Sequence, residues 1–82
     1  MSVYEIAKIE RHGGNKDADA RRLGRRVIPV QIERGSPAIL VQADNPKKTT
    51  ITSIVETKFT YVNGHIEFTT RNTKYILRKV DD

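Results

Sequence analysis

The dipeptide Asn63-Gly64 constrains this chain more than any other feature, because it sits between two alternating runs, "TKFTYV" and "HIEFTT". Asn-Gly is the strongest short-range hairpin signal, since a type I′ turn needs positive φ at both central residues. A two-residue turn there sets Val62 opposite His65, Tyr61 opposite Ile66, Phe59 opposite Phe68 and Thr57 opposite Thr70. These pairs make an apolar face. The other face carries Lys58 with Thr69, Thr60 with Glu67, and Glu56 with Arg71. Slipping such a pairing by one residue would exchange the two faces.

A second two-residue turn at Asn72-Thr73 pairs Thr70 with Tyr75, Phe68 with Leu77 and, outside, Glu67 with Arg78. The expectation is a C-terminal three-stranded meander with Phe59, Phe68 and Leu77 in a row on its dry face. Opposite-charge cross-strand pairs contribute about 0.2–1 kcal/mol each and so favour register more than stability. The same register opposes Arg71 and Lys74, a like-charge pair that disfavours it.

The rest of the chain is also strand-forming. "VIPVQI" and "AILVQA" are short, rich in β-branched residues, and bounded by Gly, Pro, Asn and Asp, which is the all-β pattern. Ile28, Val30 and Ile32 alternate in one, and Ile39, Val41 and Ala43 in the other. Pro29 cannot donate a ladder hydrogen bond, so its strand is expected at an edge or bulged. Thr49–Val62 is long for one strand, and Ile54 and Val55 fall on opposite faces, which predicts a bend near Ser53. Residues 2–10 read two ways: Ser2 and Glu5 match a capping box, yet the alternation and the β-branched residues favour a strand. "DADARRLG" has the signals for one or two helical turns, ending with Gly24 in the position just past a helix.

These elements predict one all-β domain over residues 1–82, a five- to six-stranded antiparallel, partly open barrel, with a basic, partly mobile loop at 11–26. The architecture compares with SH3-like and OB-like barrels, a likeness of fold class that carries no functional residues with it. Eighty-two residues bury about 60–65% of their unfolded surface, leaving room for one modest core and no enclosed substrate cavity. The absence of cysteine removes disulfides and thiolate metal sites, and fits a cytoplasmic protein. Glu5, Lys8 and Glu10 interrupt any signal-peptide core, and no membrane span is expected.

The sequence offers little for catalysis. His12 precedes Gly13-Gly14 and His65 flanks a turn, both positions where histidine is ordinarily solvated. Glu56 and Glu67 have basic neighbours on a wet face, which keeps carboxylates ionised. "NKDAD" imitates the start of a calcium loop, but Ala20 stands where Gly is required and Arg26 where the bidentate Glu belongs. The spacings of a nucleophile elbow and of a phosphate loop are both absent. No catalytic residue, metal site or cofactor is expected, and the reading is non-enzymatic.

Charge is the remaining signal. The chain carries +5, and Arg11–Arg26 holds six basic and two acidic residues, a local +4. Such clusters concentrate polyanions or acidic protein surfaces. The expected ligand is nucleic acid, as DNA or structured RNA, held at its phosphates by Arg21, Arg22, Arg25, Arg26, Lys47 and Lys48, with Arg71 and Lys74 as weaker candidates. With Phe59, Tyr61, Phe68 and Tyr75 assigned to the dry face, stacking of single-stranded bases is disfavoured. The alternative is a protein-interaction adaptor or small regulator that takes an acidic surface or adds a strand at the Pro29 or N-terminal edge.

Overall fold

The computed structural model describes residues 2–12 and 22–81, and its named elements are all strands. They are β1 (Val3–Arg11), β2 (Arg26–Gln31), β3 (Pro37–Gln42), β4 (Thr49–Ile54), β5 (Thr57–Thr60), β6 (Ile66–Thr69) and β7 (Thr73–Asp81). All seven form one antiparallel sheet in the order β4-β3-β2-β1-β7-β6-β5. The N-terminal segment is thus a strand, and it lies at the centre of the sheet. The strand count exceeds five or six because the long run after Pro46 breaks at Val55-Glu56, two residues beyond the expected bend.

That break joins the two ends of the sheet. The Val55 N–H donates to the Ser36 carbonyl at 2.9 Å, and the Val55 carbonyl accepts from Gly35 N–H at 2.9 Å. The next amide, Glu56 N–H, donates in the opposite direction, to Thr69 at 2.7 Å. β4 and β5 share no ladder, so the sheet is not closed. β4 and β5 are therefore the edges, and β1 and β2, expected as edges, are interior. Pro29 is accommodated by a register shift between Pro29 and Gln31. The bulge also changes the phase of β2: Val27 and Ile32 are buried, while Val30 is 63% exposed. In β3 the inward residues are Ala38 and Leu40 instead of Ile39 and Val41.

The core comprises Tyr4, Ile6, Val27, Ile32, Ala38, Leu40, Val55, Ile66, Phe68, Tyr75 and Leu77, with Phe68 and Tyr75 stacked at 4.8 Å. β4 contributes Thr50 and Thr52. Where the β3–β4 register shifts, Thr52 Oγ1 accepts from Ala38 N–H at 3.0 Å and donates to the Ser53 carbonyl at 2.8 Å. The hydroxyl thereby satisfies an amide that the interrupted ladder leaves behind.

The meander exists, but both of its registers differ from expectation. Tyr61 N–H donates to His65 carbonyl at 2.8 Å, so three residues, Val62, Asn63 and Gly64, form the first loop. Gly64 has φ +90°, and no non-glycine residue among those described has positive φ, so the type I′ turn does not form. Asn63 acts instead through its side chain, whose Oδ1 accepts from His65 N–H at 3.0 Å. The result is a slip of one residue: Phe59 pairs with Glu67 and Lys58 with Phe68. Phe59 and Tyr61 move to the outer face, where they are 57% and 42% exposed.

The second hairpin slips by two. Thr70 N–H donates to Thr73 carbonyl at 2.8 Å, the loop is Arg71-Asn72, and Phe68 pairs with Tyr75. A shift of two keeps each side chain on its face, so Phe68, Tyr75 and Leu77 remain buried. The expected Arg71–Lys74 opposition vanishes, because Lys74 pairs with Thr69 and Arg71 sits in the loop.

Truncating a buried ring costs transfer and cavity terms together. Phe68→Ala is expected to lose about 3–5 kcal/mol in urea denaturation, whereas Phe59→Ala stays within about 0.5 kcal/mol. Equal losses at the two positions would return Phe59 to the core and refute the slipped register.

Candidate nucleic-acid interface

Two basic segments, distant in sequence, meet where β2 begins and β3 finishes. Arg22, the first described residue of the expected helical turn, has helical backbone; Arg25 N–H donates to its carbonyl at 3.1 Å. Gly24, at φ +81°, takes the left-handed conformation expected just past a helix. The turn is tied to β1 by Gly24 N–H to Ile6 carbonyl at 2.9 Å and Ile6 N–H to Arg25 carbonyl at 3.0 Å. Arg25 is half-buried, and Arg26 is exposed at the start of β2.

The β3–β4 turn lies alongside. Ala43 N–H donates to Arg26 carbonyl at 2.9 Å, and Gln42 N–H donates to Lys48 carbonyl at 2.9 Å. Lys47 and Lys48 are exposed on that turn. Arg25, Arg26, Lys47 and Lys48 therefore share one end of the sheet. Beside Arg25 and Arg26 runs an open groove of about 630 Å³, also lined by Leu23, Gln42 and Asp44, which Lys47 and Lys48 do not line. Gln42 Nε2 donates to Asp44 Oδ1 at 2.7 Å, which ties the groove's carboxylate to the β3 terminus.

The other candidates are placed differently. Arg71 is exposed in the β6–β7 loop, beside the finish of β1 and away from the Glu5–Arg26 pairing, where His12 N–H donates to Asn72 carbonyl at 2.9 Å. Lys74 pairs with Glu67 at 3.4 Å and faces Glu10 across the β1–β7 ladder. Arg21, the Asn15–Asp19 segment and most of the basic loop lie outside the described residues.

The outer face of β1, β7 and β6 is an array of ion pairs. Arg78 joins Glu5 at 2.5 Å, so Glu67 does not take the Arg78 partner expected from sequence. Lys8 joins Glu10 at 2.7 Å, which raises the Lys8 pKa and lowers that of Glu10 through mutual hydrogen bonding and charge attraction. At the margin stand Phe59 of β5 and Tyr61, one residue past its end, in an edge-to-face pair with centroids 4.7 Å apart. The Tyr61 hydroxyl donates to Glu67 Oε1 at 3.1 Å. Sequence reasoning missed this exposed pair because its strand register was one residue out; the signal that could have found it is the capping capacity of the Asn63 side chain.

His65 and Glu67 each take polar neighbours of their own. His65 Nδ1 lies 3.3 Å from Asn63 Nδ2, and Glu67 is shared between Lys74 and Tyr61. Among the described residues, no three His, Cys, Asp or Glu side chains come together to hold a metal ion, and no helix is long and apolar enough to cross a membrane.

The hydrogen bond to the Glu67 carboxylate, followed by desolvation, raises the Tyr61 pKa above its ordinary 10.0. A raised phenol pKa contributes to folding while the proton is held, and that contribution is lost as pH rises through the folded value. In an NMR titration the Tyr61 ring is expected to change with a midpoint above 10.0, and Glu67→Gln is expected to lower that midpoint. A wild-type midpoint at or below the ordinary value would remove the bond.

Comparison of the chain with protein-family models, with curated proteins and with solved structures yields no match.

Proposed function

We propose that this protein is a non-enzymatic binding module that holds nucleic-acid phosphates at the Arg26 end of its sheet. The observation that carries the reading is the pair of backbone bonds, Ala43 to Arg26 and Gln42 to Lys48, that draws two separate basic segments together. Arg25, Arg26, Lys47 and Lys48 form its centre, with Arg21 and Arg22 adjoining in sequence. Arg71 and Lys74 are minor, being remote and, for Lys74, already paired. Phosphate recognition needs cations along a path and no base-specific geometry. The same reading takes the sheet as a partly open barrel of SH3-like or OB-like kind, because its two ends meet at Val55 and Glu56. The lack of cysteine suits a reducing compartment such as the cytoplasm.

Releasing counterions makes phosphate binding fall with salt, by about 0.9 in log K per log unit of salt for each duplex phosphate neutralised. Four cations therefore predict a slope of about −3 to −4. Replacing Lys47 and Lys48 by Ala is expected to flatten it by about 2, while Arg71→Ala leaves it nearly unchanged. Absence of binding to any nucleic acid at low salt would dismiss the proposal.

A protein partner is the second reading, favoured by one observation: the free edge of β4, "TTITSI", has neither charge nor proline, the devices that ordinarily blunt sheet edges. Gln42 bonds to Lys48, so the alternating ladder turns the Ile51 N–H away from β3. Ile51→Pro is thus expected to abolish binding of a partner strand while sparing nucleic-acid affinity. If both are retained, strand addition at β4 fails.

A further inference from the structure

We propose that Phe59 and Tyr61 form a base-stacking platform, and that the ligand of this module is a single-stranded nucleic acid laid across the outer face of β5. The inference rests on the phosphate-binding reading above and specifies its substrate class. It begins with an oddity of burial. The chain has five aromatic residues, and two of them stand on the outer face of an edge strand, 57% and 42% exposed, with Val62 fully exposed beside them. Stacking on an exposed ring is tolerant of sequence, since every base has a π face.

The pair is held in place. Residues two apart on a strand point to the same side, and the two rings meet edge to face at 4.7 Å. Tyr61 is anchored through its hydroxyl to Glu67, and Glu67 is anchored to Lys74. Below them, Thr57 and Thr69 share a hydroxyl hydrogen bond of 2.5 Å across β5 and β6. At the tip the Asn63 side chain closes the loop, and the Lys79 side chain runs past Gly64. A platform whose rings are already ordered loses little conformational freedom when a base lands on it.

The surroundings favour a polyanion over a protein. The rings' neighbours on the outer face include Thr57, His65, Glu67, Thr69 and Lys74. Val62 apart, the exposed aliphatic side chains among the described residues lie elsewhere, at Leu23, Val30, Ile51 and Ile54. The carboxylate bonded to Tyr61, Glu67, is offset by Lys74. The strand registers also set the platform in line with Arg26: Thr60 pairs with Ile66, Ile66 with Leu77 and Leu77 with Ile6, next to Glu5, which pairs with Arg26. Tyr61, one position beyond Thr60, therefore stands level with Glu5 and Arg26 on the outer face, with β6, β7 and β1 between them.

The test uses the full chain with a thymidine oligonucleotide and with a duplex of the same length. There is no tryptophan, and Tyr4 and Tyr75 are buried, so quenching of tyrosine emission reports stacking on Tyr61. Phe59→Ala and Tyr61→Ala are each expected to weaken single-strand binding roughly tenfold, with the salt slope unchanged because no phosphate contact is lost. Tyr61→Phe keeps the ring and is expected to keep affinity, which separates stacking from the loss of a hydroxyl. Replacing Lys47 and Lys48 by Ala is expected to flatten the slope while the quench at saturation persists. Single-strand affinity that is indifferent to both ring deletions overturns the platform and leaves phosphate binding standing. No binding of either probe at low salt overturns both. Tighter binding to the duplex, or ring dependence seen only with polyglutamate as an acidic polypeptide probe, also overturns the platform.

Discussion

Two consecutive amides set the terms of this structure. Val55 is bonded to Ser36 and Gly35 on the β3 side, and Glu56 to Thr69 on the β6 side. In an extended chain neighbouring peptide groups point to opposite edges. One residue step can therefore bind the first and last strands of a sheet that is otherwise open. The crossing buries Val55 almost completely. It also brings Ala38 and Leu40 of β3 into the same core as Ile66 and Phe68 of β6. Without it the sheet would be a long ribbon with one apolar face uncovered, since the described residues form no second layer to cover it.

The second constraint is the central ladder. β1 pairs with β7 from Val3 opposite Asp81 to Arg11 opposite Thr73, joining the two ends of the chain. Contacts of such sequence separation are entropically demanding and slow to form. The local hairpins of the meander offer a surface on which β1 can dock once they exist. Loop length alone favours early closure at Val62–Gly64 and Arg71-Asn72 over the long connection between β1 and β2.

What was legible in the sequence was punctuation; what was not was register. Gly64, Pro29 and the Ile54-Val55 phase change each marked a real feature: a positive-φ loop residue, a bulge and a break. These follow from the backbone chemistry of single residues. Register depends on a competition that local chemistry does not decide. Asn63-Gly64 suits a two-residue loop, but the Asn63 side chain can bond to His65 N–H and stabilise a three-residue loop instead. One residue of difference exchanges the faces of β5, whereas the two-residue difference at Arg71-Asn72 changed the charge partners and left the core intact. Similarly, the basic residues were readable individually, but their grouping depended on which turns the ladders bring together. Lys47-Lys48 joined Arg25-Arg26, and Arg71 did not.

The slipped register also explains why leaving two rings outside is tolerable. β5 is an edge, and a flat apolar edge strand invites uncontrolled pairing. With the slip, the inward positions of β5 fall to Lys58 and Thr60, and an inward-pointing charge is one of the means by which sheet edges resist addition of another strand. The alternative register would bury Phe59 and Tyr61 and turn Lys58 outward, gaining apolar contact but leaving an edge with nothing to deter a neighbour. The exposed aromatic pair and the protected edge are thus two consequences of one displacement. β4, at the other margin, has no such protection, with Ile51 facing solvent and no charge along the strand. The two edges of the same sheet are therefore chemically distinct: one guarded by Lys58 and carrying ordered rings, the other neutral and open to pairing.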